Sequence, residues 1–299
     1  MKIASIDVGS NTVLLLIADV KDGQVLPIVN EYRIPRISSG LQKSGVISDD
    51  SIKKLFKILA EYKSIIKSYN CEKVIVNGTQ ALRVAKNSEF IRDEIKRIFD
   101  FDLHIISGET EALLSFKGAI SSFPNENIYS IIDIGGASTE IVLGNREKII
   151  FRKSFPIGVV VSKENYLKSN PPTDDELKIY KTKLHSIFEE LAQIDFTNSE
   201  LIAVAGTPTT LSGLKLGLTK YSEAKIEQSI LTNSDLTHYI SKFQKLTYTE
   251  IEEQFSPIVT GREDVILSGS LILQHLLTLL KKDKLFVSGR GLRYGAVLV

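Results

Sequence analysis

The sequence predicts an α/β fold built twice, and three observations carry that expectation. The chain opens with three strand patterns rich in Ile, Val and Leu, at residues 3–7, 12–20 and 24–33, separated by Gly9-Ser10-Asn11 and Asp22-Gly23 turns. Short apolar runs broken by such turns read as an antiparallel meander. Helical and strand patterns then alternate, and the same order recurs from residue 128 onward. The segments Asp7-Val8-Gly9-Ser10-Asn11-Thr12 and Asp133-Ile134-Gly135-Gly136-Ala137-Ser138-Thr139 fall at equivalent places, each an acidic residue closing a strand before a turn of small residues. Two similar domains, tightly joined and facing across a cleft, are expected.

The elements follow in order. Ser48-Asp49-Asp50 offers caps for a helix whose apolar positions are Ile52, Leu55, Phe56, Leu59, Tyr62, Ile65 and Ile66, and residues 74–76 read as a buried strand. Ser107-Gly108-Glu109-Thr110-Glu111 opens a helix with the apolar face Ala112, Leu113, Phe116, Ile120 and Phe123, leaving Glu111 beside the small residues Ser115 and Gly118. In the second half, residues 128–133, 139–143 and 148–155 are strands, and 169–173 is a loop before a well-capped helix from Asp174. Val204-Ala205-Gly206-Thr207-Pro208 ends a strand and opens a helix. The apolar run 271–280 contains Gln274 and His275 and meets Lys281 and Lys282, which fits a packed amphipathic helix better than a membrane surface.

Composition excludes several classes. Of 299 residues 43% are hydrophobic and 24% charged, as in soluble globular proteins, and 37 basic residues nearly cancel 36 acidic ones. No global field draws nucleic acid or a membrane, so anion binding must be local. One cysteine, Cys71, forms no internal disulfide, and His104, His185, His238 and His275 are scattered, so no zinc-site spacing exists. The apolar run 13–18 is cut by Asp19, too short for a signal-peptide core or a span. A cytoplasmic protein is expected.

The two turns carry the chemistry. Small residues let successive backbone N–H groups approach a phosphate, which assigns Gly9, Ser10 and Asn11 in one turn and Gly135, Gly136, Ala137 and Ser138 in the other. Singly each is an ordinary hairpin turn more often than a phosphate site; the pair reverses those odds. Asp7, Asp133 and Glu140 are hard oxygen ligands suited to magnesium. No Walker-type phosphate loop occurs. Gly206 and Thr207 begin a helix that could face a phosphate or merely be capped. Glu111 lies in a helix first turn, where carboxylates tend to stay ionised, which suits a general base, against the simpler reading of dipole complementarity. Arg83 could pair with a phosphoryl group or with a carboxylate. Arg262, Asp264 and the 289–293 segment allow a bracing role.

Taken in order, Ile6-Asp7-Val8-Gly9-Ser10-Asn11, Thr79-Gln80-Ala81-Leu82-Arg83, Ile106-Ser107-Gly108-Glu109-Thr110-Glu111-Ala112, the 133–140 segment, 206–211 and Arg262-Glu263-Asp264 resemble the exopolyphosphatase / guanosine pentaphosphate phosphohydrolase family, in its short two-domain form. The resemblance runs from the first strand to the last residue. It implies two actin-like, ribonuclease H-like domains, each a mixed five-stranded sheet flanked by helices, over residues 1–119 and 120–299, with the last helix able to pack back on the first. It implies Glu111 as catalytic base. Asp133, Gly135, Ser138 and Glu140, with Asp7, Ser10 and Asn11, would be metal and phosphate contacts, Arg83 a substrate-phosphate ligand, and Mg2+ the cofactor. The chain departs from the family pattern at Ala137, Glu263 and Tyr294.

The expected reaction is hydrolysis of the terminal phosphoanhydride of polyphosphate or guanosine pentaphosphate, a link to the stringent response, by a protein that binds neither nucleic acid nor membrane and could form a homodimer. A phosphotransferase of the same superfamily and a non-catalytic alarmone sensor are the alternatives.

Overall fold

In the computed structural model, which describes residues 1–125 and 127–299, the opening meander is strands β1 (Lys2–Val8), β2 (Val13–Lys21) and β3 (Gln24–Arg33). β1 runs antiparallel to β2 from Lys2 opposite Asp19 to Val8 opposite Val13, and β2 pairs likewise with β3. A one-turn helix α1 (Leu41–Ser44) leads to α2 (Asp49–Ser68), whose N-cap Ser48 accepts a hydrogen bond from the Ser51 N–H. Ile52, Leu55, Leu59, Tyr62 and Ile66 recur at helical spacing and are buried, and the Tyr62 hydroxyl donates to the Val13 carbonyl at 3.0 Å. Strand β4 (Lys73–Gly78), helices α3 (Gln80–Val84) and α4 (Ser88–Phe99), strand β5 (Leu103–Ile105) and helix α5 (Gly108–Ala119) complete the run. β4 and β5 add in parallel, giving the order β3-β2-β1-β4-β5.

The later run is β6 (Ile128–Ile134), β7 (Thr139–Gly144), β8 (Ile149–Phe155), α6 (Val159–Asn165), α7 (Asp174–Phe188), β9 (Ser199–Val204), α8 (Gly206–Lys215), α9 (Glu223–Ile226), β10 (Ser229–Thr232), α10 (Asn233–Phe243), α11 (Tyr248–Phe255), α12 (Ile266–Leu279) and β11 (Lys284–Val287), followed by α13 (Leu292–Ala296). Its sheet has the order β10-β11-β9-β6-β7-β8. Read from β8 inward, the first five strands repeat the order of the first sheet. The sixth, β10, exceeds the expected five: it is a four-residue antiparallel edge strand entered through Gln228 at φ 61°, too short and too polar to show a period.

Both sheets are flanked by helices, the mixed architecture expected of the actin-like fold. The chain divides into two compact units, Met1–Ser122 with Arg290–Val299, and Phe123–Gly289, and each has its own core. In the first, Leu15 and Ile17 of β2 meet Leu55, Leu59 and Tyr62 of α2, with Ile91 and Ile95 of α4 in the same cluster. In the second, α12 buries ten of its residues around its circumference and ends before Lys281, so it is a core helix rather than an amphipathic one. Helix α5 also differs from expectation. It stops at Ala119, Phe123 lies in the second unit against Tyr129 and Phe286, and its small-residue side is covered by α13.

Candidate active site

In the first unit the turn after β1 is closed by the Gly9 N–H donating to the Thr12 carbonyl at 3.0 Å, and a Cβ at Gly9 would lie 3.0 Å from that oxygen. Close approach, not positive φ, therefore explains the glycine. The Ser10 and Asn11 carbonyls accept from the Ser38 and Arg36 N–H groups, each at 3.1 Å. In a trans peptide the N–H points opposite to the preceding carbonyl, so the Asn11 and Thr12 N–H groups face away from that strap. Ser10 and Asn11 are buried, and both polar atoms of the Asn11 amide are buried without a partner. Leaving such groups unsatisfied costs about 1–3 kcal/mol, so an anion or hydrated cation reaching them would recover it.

The second unit builds the same turn with different chemistry. The Gly135 N–H donates to the Ser138 carbonyl at 2.9 Å, and the Gly135 and Gly136 carbonyls accept from the Val159 and Val160 N–H groups at 3.0 and 2.7 Å, where α6 begins. The Gly136 and Ala137 N–H groups accordingly point away from α6. Gly158 allows this, since a Cβ there would come within 2.5 Å of the Gly135 oxygen. Ala137 is not among the residues with positive φ, so it needs no glycine. Asp133 and Glu140 are direct cross-strand partners, whereas Asp7 faces Leu14. Directly opposed residues share one sheet face at ~5 Å, and like charges so placed repel. On the far side Glu140 pairs in register with Ser154, whose hydroxyl donates to Glu140 Oε1 at 2.6 Å. Glu140 is buried and Asp133 half-buried.

Glu111 is one turn inside α5, whose N-cap Ser107 accepts from the Thr110 N–H, and it is buried. Its Oε2 lies 2.7 Å from Nη1 of Arg83, a partly buried ion pair, and the same Nη1 donates to the Ile106 carbonyl at 2.7 Å. Of the two readings open for Arg83, a carboxylate pair is the one formed. Gly206 opens α8 with the Arg262 guanidinium resting on it: a Cβ would fall 1.7 Å from Nη1. Thr207 is turned into α12, where a Cβ on Gly269 would lie 2.1 Å from its Oγ1, so an anion there would meet its backbone N–H rather than its hydroxyl.

Ser154, Gln80 and Ala205 were not singled out from the sequence. Ser154 was reachable by counting across the Gly144-Asn145 hairpin, because the register puts it opposite Glu140. Gln80 and Ala205 carried no local signal.

Residues 16–299 match the model of the Ppx/GppA phosphatase family. The chain belongs to that family. This Ppx/GppA-family chain is 33% identical to the Bifunctional 3-dehydroquinate synthase/phosphatase of Fusobacterium nucleatum, over 99% of this chain and 46% of that protein. It is 29% identical to Exopolyphosphatase 2 of Mycobacterium tuberculosis, over 99% and 98% respectively. It is 28% identical to the Guanosine-5'-triphosphate,3'-diphosphate pyrophosphatase of Pseudoalteromonas translucida, over 98% and 58%. The chain therefore spans about half the length of the first and third of these relatives and nearly all of the second. The crystal structure of the Aquifex aeolicus Ppx/GppA family member matches it with a TM-score of 0.85 at 32% identity, over 100% of this chain and 96% of the other. The fold is thus the actin-like fold of the Ppx/GppA proteins. No helix among the described residues of this Ppx/GppA chain is long and apolar enough to cross a membrane.

Proposed function

We propose that the chain hydrolyses the terminal phosphoanhydride of inorganic polyphosphate or of guanosine 5'-triphosphate 3'-diphosphate, with Glu111 as general base. The observation that carries this is the buried Glu111 carboxylate held by Arg83 in a Ppx/GppA-family chain. Relatives named for both substrates, one of them matched along nearly its whole length, support the choice.

Glu111 accepts a proton from the attacking water. The water oxygen forms the new bond to the terminal phosphorus, the bridging P–O bond breaks, and the shortened chain leaves with its electron pair. For such loose transfers catalysis is mostly positioning and charge neutralisation. Backbone N–H groups of the 9–12 and 135–138 turns suit the phosphate oxygens, and the Asn11 amide supplies both a donor and an acceptor. Among the described residues no group of three or more His, Cys, Asp or Glu could cage a metal. Magnesium, however, takes only one or two carboxylates beside waters and phosphate oxygens, and the opposed Asp133 and Glu140 fit that demand. Mg2+ held there would neutralise phosphate charge. Asp7, with Leu14 opposite, would offer a single carboxylate, which magnesium also accepts beside waters and phosphate oxygens.

We place the protein in the reducing cytoplasm, since Cys71 has no second thiol to pair with, and the general frequency of two-fold assemblies leaves a homodimer open. The test is phosphate release with Mg2+ from short polyphosphate, long polyphosphate, guanosine pentaphosphate and ATP, with Glu111→Gln in parallel. Loss of about 10²- to 10⁴-fold in the variant supports the mechanism and the preferred arm names the substrate. A fully active Glu111→Gln rejects it, and phosphorylated product from ATP would make the chain a phosphotransferase.

A further inference from the structure

We propose that Gln80 is a positioning residue for the reaction: its amide oxygen fixes the Arg83 guanidinium, which in turn aims the Glu111 carboxylate. This rests on the reading of Glu111 as general base. Arginine carries five N–H donors in one rigid plane. In this chain Nε and Nη2 of Arg83 both donate to Gln80 Oε1, at 3.1 and 2.7 Å, while Nη1 donates to the Ile106 carbonyl and to Glu111 Oε2, each at 2.7 Å. Four N–H groups are thereby committed within the first unit. Arranged this way, the guanidinium serves as a bracket for Glu111, with one N–H left for the substrate phosphate that the family resemblance implied.

The bracket has a definite order. Gln80 is the first residue of α3 and Arg83 lies three positions on, so the two side chains stack on one helix face. The carbonyl at Ile106 immediately precedes Ser107, the N-cap of α5, and Glu111 is one turn inside that helix. One planar group thus ties the entry of α5 and the carboxylate that the helix carries. The ion pair and the Ile106 carbonyl both hold Nη1 alone, which leaves the Nε and Nη2 side of the fork without an anchor. The two bonds to Gln80 supply that anchor, and an acceptor at position 80 is what they require. A misplacement of about 1 Å at a reacting group can cost on the order of 10²-fold in rate.

The test compares wild type, Gln80→Leu, Gln80→Glu and Glu111→Gln, measuring kcat and KM for phosphate release, thermal midpoints, and the Arg83 Nε–H resonance by 15N NMR, assigned through Arg83→Lys. Gln80→Leu is expected to lower kcat about 10- to 100-fold with KM within about twofold and an unchanged midpoint. Gln80→Glu, which keeps an acceptor oxygen, should recover at least about tenfold of that loss. The Nε–H signal should exchange slowly in wild type and fast in Gln80→Leu. Wild-type kcat in Gln80→Leu, a raised KM at unchanged kcat, or a Gln80→Glu no better than Gln80→Leu would overturn the bracket. If Gln80→Leu melts early, Gln80→Glu decides: full loss of kcat there overturns the proposal and retention supports it. A fully active Glu111→Gln removes the base reading itself, whereas an inactive one beside an unaffected Gln80→Leu removes only the bracket. Should no substrate turn over, a slowly exchanging Nε–H in Gln80→Leu still refutes the clamp.

Discussion

At φ 75° and ψ −167°, Ala205 occupies backbone space that is essentially glycine's, immediately before the Gly206-Thr207 start of α8. Such strain costs about 1–3 kcal/mol and gathers at ligand clamps. Ala205→Gly should therefore raise the urea midpoint, by the equivalent of about 1 kcal/mol, and a lowered midpoint would show that the conformation is not strained. His275 makes a second prediction. Its Nε2 is buried without a partner and its ring lies 6.1 Å from that of His185. Burial, and then the nearby His185 charge, lowers its pKa from the ordinary 6.5. With the folded value below the unfolded one, the unfolded chain binds the proton first as pH falls. Stability is complete above about pH 6.5 and declines below it, levelling once pH is under the folded value. His275→Leu should flatten the melting temperature between about pH 7 and pH 5; an identical acid slope in the variant would assign the decline to other groups.

Among the elements, α5 matters most, because it carries Glu111 and is pressed against α13 at two glycines. A Cβ on Gly118 would lie 2.1 Å from the Gly291 carbonyl oxygen, and one on Gly295 1.8 Å from that of Leu114. Both clashes are with backbone, which cannot swing aside. Gly118→Ala should thus cost about 3 kcal/mol, at the upper end for overpacking, and lower the guanidinium midpoint without changing the slope. A cost under about 0.5 kcal/mol would mean the helices part easily. The sequence made the meanders, the capped helices and both Asp-turn pairs legible, since period and turn chemistry are local: Ser48 and Thr173 cap where expected. It did not disclose that the small face of α5 is a helix contact, because Ser115 and Gly118 have no polarity that distinguishes an open face from a close-packed one. The Gln80 clamp was equally hidden, since the partner of an amide depends on what tertiary packing brings beside it. The Asp133–Glu140 pairing lay within reach, being fixed by hairpin register alone.

At the scale of the whole molecule, the first unit is discontinuous: the chain leaves it at Ser122 and re-enters at Arg290. The returning segment buries Tyr294 and Val297 with Ile3, Leu16, Ala18 and Val25, and Leu292 and Ala296 with Leu114. Fully burying one large apolar side chain is worth about 1.5–3 kcal/mol, so Tyr294, Val297 and Leu292 together approach the lower end of the net stability of a domain. Residues 123–289 have a core of their own, needing nothing from the segment. Expressed alone, 123–289 should melt cooperatively, whereas 1–122 should not; joining 290–299 to 1–122 through a flexible linker should restore its transition. The linker's closure entropy grows only as the logarithm of its length, which the recovered burial outweighs. Circular dichroism melts of the three fragments check this. A cooperative transition in 1–122 alone would show that the returning segment, and with it the packing of α13 on Leu114 and Gly118 of α5, is dispensable to the fold of the first unit.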